Sequence, residues 1–347
     1  ATRNALEITG VQVNDIELAS ISTKHDISSY ERVIELGANL GAKNLISSAW
    51  TTERNDQNFI IDQFSTICEI SKKYNIFLLE DCALALDSSV NGKKVGLFGD
   101  ASLFSFDHTK PINSMIGGLI CTKDSDLFLK LKGIQKKSGE ISLSKRTALF
   151  NRFLLERKYC NPRKYGLFQI IDYMYAVYGK VFNRESAFLM KDSGSSSKIY
   201  DEYPYPSRMP EFIAFLALNE LKRWPSIKRE RRRIMNRYID RLRALERTFE
   251  MPESYFKNGV NVIPLRFVFT HPSGVKLRSK MNCFLNVAWV WFKAPIISTT
   301  EPIENYGYIV GSCPVSESLN TSIINLPTSI AEDELEDLLE LIDVLEY

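Results

Sequence analysis

Hydrophobic and polar positions follow two different patterns along residues 44–136. Short apolar runs, which are typical of buried strands, occupy residues 44–50, 75–80, 101–106 and 118–122. Residues 59–74 instead place apolar side chains at helical spacing, and residues 124–136 predict a helix that Asp124 caps. Because strands alternate with helices, the pattern predicts an α/β layer sandwich.

The following segment, residues 138–205, has a different character and is predicted to be an insertion. Between residues 144 and 184, nine Lys and Arg residues stand against two acidic ones, and residues 165–182 are aromatic and amphipathic. The simpler interpretation is a segment that packs on the domain and keeps its basic face in solvent. The alternative is a surface helix in weak contact with a membrane or another anionic partner through residues 144–184.

A smaller α+β domain is predicted over residues 206–347. It begins with a helical stretch at residues 209–249, which we expect to break near Trp224 and Pro225. The basic side of this stretch is expected to face solvent, with Ile234, Tyr238 and Leu242 buried. The further predicted elements are strands near residues 260–269, a helix near residues 273–285 and a closing helix at residues 331–345. The predicted domains are therefore residues 1–137, 138–205 and 206–347.

Composition narrows the class of protein. A chain of 347 residues, 44% hydrophobic and 25% charged, can bury a large core without a disulfide or metal staple. The 44 Lys and Arg residues nearly balance the 42 Asp and Glu residues, which argues against nucleic-acid binding through bulk charge. Three scattered histidines argue against a His-rich metal site. Six cysteines without a CxxC pair indicate reduced thiols and a cytoplasmic setting.

Two ionisable residues follow buried strands at the point where an open α/β sheet usually forms its cleft. Asp81 comes directly after the run at residues 75–80, and Lys110 comes a short turn after the run at residues 101–106. A lysine amine can form a Schiff base with an aldehyde cofactor, and an aspartate can keep a pyridine nitrogen protonated. A lone Asp–Lys pair is nevertheless more often a salt bridge, so the pattern alone leaves both interpretations open.

The sequence around these residues resembles a known family. FGDASLFSFDHTKPI at residues 98–112, followed by Gly117 and Gly118, is similar to the lysine segment of the DegT/DnrJ/EryC1/StrS sugar aminotransferases. Residues 76–96, 205–239, 266–269, 312–319 and 324–342 resemble further motifs of that family in the same order. The resemblance implies a fold-type I, three-layer α/β large domain, lacking part of the N-terminal region, and a smaller C-terminal α+β domain.

The resemblance also implies roles for individual residues. Lys110 matches the lysine that binds pyridoxal 5'-phosphate, Asp81 matches the partner of the pyridine nitrogen, and Ser105 matches a hydroxyl that binds the phosphate. His108 and Arg208 are weaker candidates for contact with the substrate. The implied substrate is a nucleotide-linked keto-sugar, the implied amino donor is glutamate, and the implied assembly is a homodimer active in surface-glycan or amino-sugar biosynthesis.

The sequence departs from the family pattern at several positions. Leu84 stands where many members have Gln, and Leu86 replaces a polar residue or His. Met115 and Ile116 stand in place of Gly-Glu, and Pro206 replaces an Asn that can donate and accept hydrogen bonds. No clear counterpart of the family's phosphate-binding turn is found before residue 44, although the backbone N–H groups of such a turn normally hold the phosphate.

The retained residues and the departures together leave two functions of different classes. The first is a catalytic sugar aminotransferase in which Lys110 transfers protons as general base and acid. The second is a catalytically degenerate relative that binds a sugar nucleotide or a partner protein, which the departures favour and the retained Lys110 and Asp81 oppose. A dehydratase of the same family is disfavoured, because those enzymes replace the lysine with His.

Overall fold

The computed structural model describes residues 8–9, 13, 15–18, 28–47, 66–159, 167–168, 170–171, 173–174, 177–178, 207–282 and 302–343. The chain forms two compact units. The first comprises Ala1–Gly133 and Pro252–Ile263, and the second comprises Ile134–Met251 and Pro264–Tyr347. The division into residues 1–137, 138–205 and 206–347 stays a prediction.

A five-stranded sheet organises the first unit. Its strands are β1 (Asp15–Leu18), β2 (Asn44–Ser47), β3 (Phe77–Asp81), β6 (Ala101–Ser105) and β7 (Gly118–Thr122), in the order β1-β2-β3-β6-β7. The first four run parallel and β7 runs antiparallel to β6. The four strands predicted from apolar runs are all present, whereas β1 was not predicted. Parallel strands place their carboxyl ends along one edge of the sheet, which is where the candidate residues follow β3 and β6.

Helices α1 (Ser28–Asn39) and α2, whose described part covers residues 66–73, pack against this sheet. The core between them is aliphatic and consists of Ile34, Leu45, Ile67, Ile70, Ile76 and Leu78. Burying each such side chain contributes about 1.5–3 kcal/mol. The helix predicted at residues 59–74 is confirmed where it is described, and residues 59–65 lie outside the described residues.

A small three-stranded sheet completes the first unit. It pairs β4 (Ser89–Val90) with β5 (Lys93–Lys94) and with β10 (Val260–Asn261), all antiparallel. Asn91 and Gly92 connect β4 to β5 with φ of 48° and 77°. An Asn-Gly pair is favoured in such two-residue turns because both positions need positive φ. Residues 260–261 thereby return to the first unit, far in sequence from the rest of it.

The second unit is mainly helical. Helix α3 (Ser125–Lys137) begins directly after the predicted cap in the first unit and ends in the second. The second unit then contains the following elements: β8 (Gly139–Glu140), α4 (Leu143–Tyr159), β9 (Ser207–Arg208), α5 (Glu211–Ala244), β11 (Arg266–Thr270), α6 (Gly274–Asn282), α7 (Pro314–Ser322), β12 (Ile323–Pro327) and α8 (Glu332–Asp343). The Asp124 carboxylate accepts the N–H groups of Asp126 and Leu127, which confirms the cap. Among the described residues, none of these helices is both long and apolar enough to cross a bilayer.

The expected break near Trp224 and Pro225 is wrong, because α5 continues through Pro225 to Ala244. A proline inside a helix removes one backbone hydrogen bond, and it is tolerated where tertiary packing holds both halves. Buried side chains indeed lie on both sides of it: Ile213, Ala217 and Trp224 before, and Ile234, Tyr238 and Leu242 after. The predicted burial of the last three is confirmed.

The basic side of α5 lies at the surface, as expected, but several of its arginines form ion pairs there. Arg233 and Arg237 share the carboxylate of Glu332, and Arg241 pairs with Asp343. These acids lie on α8, whose sequence is strongly acidic. The two helices therefore form a ladder of ion pairs at the surface, which a pattern confined to one helix does not reveal. Below it, Tyr238 stacks on Phe267 of β11 with ring centroids 5.0 Å apart.

Candidate functional site

Successive side chains of a strand point to opposite faces of a sheet, and this separates the two acids that end β3. Asp81 pairs in register with Leu103 of β6, so Asp81, Leu103 and Ser105 share one face. Glu80 lies on the other face. The structure therefore brings Asp81 and Ser105 to the same face of neighbouring parallel strands, at their carboxyl ends.

Glu80 is a structural residue that the sequence analysis missed. Its carboxylate is 7% exposed and accepts the backbone N–H groups of Gly96 at 2.8 Å, Phe98 at 2.6 Å and Gly99 at 2.6 Å. Three charge-assisted bonds fix the loop that enters β6. The neighbouring Asp100 adds a fourth contact, because its carboxylate accepts the N–H of Leu78 at 2.8 Å. The acidic pair visible in the sequence thus divides into one residue for folding and one for the site.

The Asp81 carboxylate is exposed at the sheet edge. Its Oδ1 accepts the N–H of Ala83 at 2.9 Å, which orients the side chain, and the described residues provide it with no ion-pair partner. The backbone beneath is fixed because the N–H of Cys82 donates to the Leu103 carbonyl at 2.9 Å. A carboxylate held in place with one oxygen open can bind a cationic ring N–H.

Lys110 lies in a turn that directly continues β6. The Lys110 N–H donates to the Asp107 carbonyl at 2.9 Å, and the Asp107 N–H donates to the Ser105 hydroxyl oxygen at 3.4 Å. The Asp107 carboxylate also bonds to the His108 ring at 2.9 Å and to the Thr109 hydroxyl at 3.2 Å. Burial alone raises the pKa of Asp107, but these contacts with His108 and Thr109 outweigh it and lower the pKa below its ordinary value. One charged, internally bonded turn therefore links Ser105 to Lys110.

The chain then returns to β7 through a tightly closed segment. The buried Ser114 donates its hydroxyl to the Ile116 carbonyl at 2.9 Å, and the Phe106 N–H donates to the Gly117 carbonyl. Met115 is 2% exposed and has φ of 78°, a conformation that costs a residue with a side chain about 1–3 kcal/mol. At Gly118 an added Cβ would lie 2.7 Å from the Phe104 carbonyl oxygen. Gly118 is therefore required, while Met115 retains a glycine-like backbone.

The remaining candidates have different surroundings. His108 is exposed and bonded to Asp107 in the turn before Lys110. Arg208 belongs to the second unit, on β9, where it and Arg146 both pair with the Glu140 carboxylate. That ion pair joins β9 to the β8 strand next to it, and it gives Arg208 a structural contact. The role of either residue in substrate binding stays a prediction.

The departures from the family pattern are also visible. Leu84 is 54% exposed in the turn after Asp81, where an apolar side chain offers a ligand no hydrogen bond. Leu86 is half-buried. Pro206 lies outside the described residues. The site thus keeps the groups that could hold a cofactor ring and phosphate, and lacks the polar side chain expected beside them.

Comparison with known proteins extends these observations. The model of the DegT/DnrJ/EryC1/StrS aminotransferase family matches residues 60–147 and 183–343. A UDP-4-amino-4,6-dideoxy-N-acetyl-beta-L-altrosamine transaminase of Campylobacter jejuni is 32% identical over 142 residues, which are 40% of this chain and 35% of the relative. A GDP-perosamine synthase of Escherichia coli O157:H7 is 47% identical over 62 residues, or 18% and 17% of the two chains. The first match thus spans about a third of the relative's length.

Solved structures agree with the predicted fold class. The sugar aminotransferase Spr1654 of Streptococcus pneumoniae, described as putative and in its PMP form, superposes with a TM-score of 0.56 at 16% identity, covering 98% of this chain and 84% of its own. PseC of Helicobacter pylori, described as an aminotransferase involved in the biosynthesis of pseudoaminic acid, gives a TM-score of 0.53 at 16% identity, with coverage of 89% and 69%. The α/β, fold-type I architecture is confirmed.

Proposed function

Because the chain belongs to the DegT/DnrJ/EryC1/StrS aminotransferase family, we propose that it is a pyridoxal-phosphate-dependent aminotransferase acting on a nucleotide-linked keto-sugar. One observation carries the proposal. Asp81 and Ser105 share a face at the ends of adjacent parallel strands, and a hydrogen-bonded turn connects Ser105 to Lys110. A UDP-sugar transaminase and a GDP-perosamine synthase among the relatives support a nucleotide-sugar substrate in amino-sugar or surface-glycan biosynthesis.

The residues present fit pyridoxal phosphate. The open oxygen of Asp81 suits a protonated pyridine nitrogen, the Ser105 hydroxyl can donate to a phosphate oxygen, and Lys110 supplies the amine. When bound, the cofactor supplies an electron-withdrawing ring that stabilises negative charge on the substrate carbon. The three groups would hold its ring nitrogen, its phosphate and its aldehyde carbon.

The protein's own contribution is to hold the ring and move protons. Asp81 keeps the ring nitrogen protonated, since a carboxylate beside it favours the cationic form. The Lys110 amine would take a proton from the substrate carbon and deliver it to the C4′ carbon of the cofactor, acting as general base and then as general acid. The bonded turn at Asp107 limits how far the Lys110 backbone can move during these transfers, which favours a constant distance to the reacting carbon.

The assembly and setting are part of the proposal. We propose a cytoplasmic homodimer with glutamate as amino donor, as the family resemblance implies. The cysteines of the described residues, Cys68, Cys82, Cys121 and Cys313, are free thiols, which supports a reducing compartment. Sedimentation of the cofactor-bound protein measures the assembly directly, and a monomer would contradict this part.

The test is spectroscopic. Purified protein given pyridoxal phosphate should acquire the visible absorption of a lysine-bound cofactor. Lys110→Ala should lack this absorption, whereas Lys123→Ala, which removes an exposed lysine of the same unit, should retain it. Glutamate should then remove the absorption as 2-oxoglutarate forms. A wild-type protein that never binds the cofactor would contradict the proposal.

A second candidate function is supported by the exposed Leu84, which stands where many relatives have a polar side chain. In this alternative the chain binds a sugar nucleotide or a partner protein without catalysis. The same experiment separates the two. Calorimetric binding of a UDP- or GDP-sugar by a protein that never acquires the cofactor absorption would support the degenerate relative, and amino transfer from glutamate would exclude it.

A further inference from the structure

Arg231 is the buried member of a basic run on α5. Its neighbours Arg229 and Arg232 are exposed, whereas Arg231 is only 8% exposed. Arginine is almost never buried to this extent unless it has partners, because removing a charge from water is costly. The contacts of the Arg231 guanidinium therefore indicate what this residue does.

One nitrogen makes every hydrogen bond that Arg231 forms with the described residues. Its Nη1 donates to the Pro264 carbonyl at 3.2 Å, to the Leu265 carbonyl at 3.1 Å and to the Thr328 hydroxyl oxygen at 2.8 Å. These acceptors lie where the chain enters β11 and where it leaves β12. The guanidinium is thus held in a fixed position at that end of the strand pair.

The other edge of the guanidinium has no acceptor in the described part of the chain. Nε is fully buried and makes no hydrogen bond there, and Nη2 makes none with these residues either. The Nε–H and one Nη2–H point in the same direction, and this edge can bind two oxygens of a carboxylate or a phosphate side by side. Arg231 therefore keeps a preformed pair of donors for an oxyanion.

A second guanidinium belongs to the same end of the strands. Arg266 is the first residue of β11, directly after the two carbonyls that Arg231 binds, and its side chain is partly buried. Burial, with a contribution from the positive charge of Arg266, lowers the pKa of Arg231 to about 10. Burial also lowers the pKa of Arg266 below its ordinary value. The two cations are therefore close enough to repel each other.

No carboxylate of the described residues forms an ion pair with these two cations. The acids nearest in sequence have other partners, since Glu230 and Glu332 both pair with Arg233. The Glu334 carboxylate accepts the N–H of Ala331 at 3.2 Å. Two like charges removed from water are costly unless an anion binds them. A dianionic phosphate matches both the number of charges and the guanidinium geometry, whereas one carboxylate would neutralise only half of the charge.

We propose that Arg231 and Arg266 bind a phosphate group at the end of the β11–β12 pair. Arg231 binds two phosphate oxygens through Nε and Nη2, and the more exposed Arg266 binds the same group from the solvent side. Both arginines belong to the second unit, whereas the residues proposed for the cofactor belong to the first. The phosphate is therefore a second ligand, either free or carried by a nucleotide.

Calorimetric titration tests the proposal on the full chain, after treatment with pyridoxal phosphate and removal of the unbound cofactor. Inorganic phosphate and UDP are the two probes. Arg266→Gln should weaken phosphate binding roughly thirtyfold, because bonds to a charged group are lost. Arg231→Lys keeps the charge but not the paired donors, and it should weaken binding roughly tenfold. UDP that displaces phosphate and binds more tightly would identify a nucleotide as the source, and the opposite order would identify free phosphate.

A matched control and a stability measurement accompany the titration. Arg232→Gln removes an exposed cation next to Arg231 and should bind phosphate like the wild type. Phosphate should raise the unfolding midpoint of the wild type but not that of Arg266→Gln. Without phosphate, Arg266→Gln should be at least as stable as the wild type, because a repulsion is removed. Arg266→Gln remains decisive if Arg231→Lys does not fold.

Three results would overturn the proposal. The first is that neither inorganic phosphate nor UDP binds. The second is that Arg232→Gln weakens binding as much as Arg266→Gln does. The third is that 2-oxoglutarate binds through Arg266 more tightly than either phosphate ligand, which would assign the two arginines to a carboxylate. A protein that never acquires the cofactor absorption can be titrated in the same way, so failure of the proposed function is a separate outcome.

Discussion

The division of labour between Glu80 and Asp81 makes a prediction that the structure quantifies. Glu80→Ala removes the acceptor of three buried N–H groups, at Gly96, Phe98 and Gly99. A hydrogen bond to a charged group contributes about 1.5–3 kcal/mol, and part of the loss is recovered if water or the loop rearranges. We therefore expect Glu80→Ala to lower the free energy of unfolding by about 3–5 kcal/mol, within the range measured for breaking buried charged contacts.

The matched variant is Asp81→Asn, one residue further along the same strand. Its carboxylate is exposed and accepts one backbone N–H, which an amide oxygen can also accept. The unfolding midpoint should therefore stay close to that of the wild type, while cofactor binding and amino transfer decrease strongly. Glu80→Gln, with one acceptor oxygen left, should fall between the two in stability.

Urea denaturation followed by circular dichroism gives the unfolding free energies, and the visible absorption gives cofactor binding. Two outcomes refute the reasoning. A Glu80→Ala protein as stable as the wild type would show that the loop at residues 96–99 does not depend on that carboxylate. An Asp81→Asn protein that loses stability but binds the cofactor normally would show that the roles are reversed.

Three further predictions concern Ser105, Asp107 and two cysteines. Ser105→Ala should weaken pyridoxal phosphate binding roughly tenfold, because one hydrogen bond to a charged group is lost, and an absorption titration measures this loss. The unfolding free energy should fall only slightly, because the bond that the Ser105 hydroxyl accepts from the Asp107 N–H is long, at 3.4 Å. The pKa of Asp107 in the folded protein lies below its ordinary value of 3.8. The ionised Asp107 therefore stabilises the fold above that value, and this contribution is lost as the pH falls through the folded pKa. Acid denaturation should show that the stability difference between the wild type and Asp107→Asn disappears at low pH. Burial raises the pKa of the Cys82 thiol to about 12, so Cys82 should react with a thiol reagent only when the protein unfolds. The exposed Cys313 should react at once, and Cys313→Ser should lower the amount of rapidly reacting thiol by one per chain.

The sequence was sufficient for the elements whose pattern is local. The strands β2, β3 and β6 appear as apolar runs, as is typical of buried parallel strands. The antiparallel strand β7 also appears as an apolar run, although its Leu119 and Ile120 are exposed. The Asp124 cap is set by hydrogen bonds within three residues. The strand β1 was missed because Asp15–Leu18 is short and contains two acids. Its identity as a strand depends on pairing with β2, which a local pattern does not contain.

Elements that depend on distant partners were predicted wrongly or not at all. The continuity of α5 through Pro225 and the pairing of its arginines both depend on contacts with β11, β12 and α8, at least twenty residues further along. The role of Glu80 depends on a loop sixteen to nineteen residues away. At the site, Asp81, Ser105 and Lys110 could be selected from the resemblance, but their roles stay predictions. The shared face of Asp81 and Ser105 required the register of β3 against β6.

The adjacency of Glu80 and Asp81 limits how this strand can evolve. Deleting a single residue between Ile76 and Leu79 while keeping the pairing of β3 with its neighbours would exchange the two faces. Glu80, which now fixes the loop, would then lie on the face of the cleft, and Asp81 would lie on the opposite face of the sheet. Substitutions in β3 can be absorbed one at a time, but its length is constrained by two unrelated requirements at once.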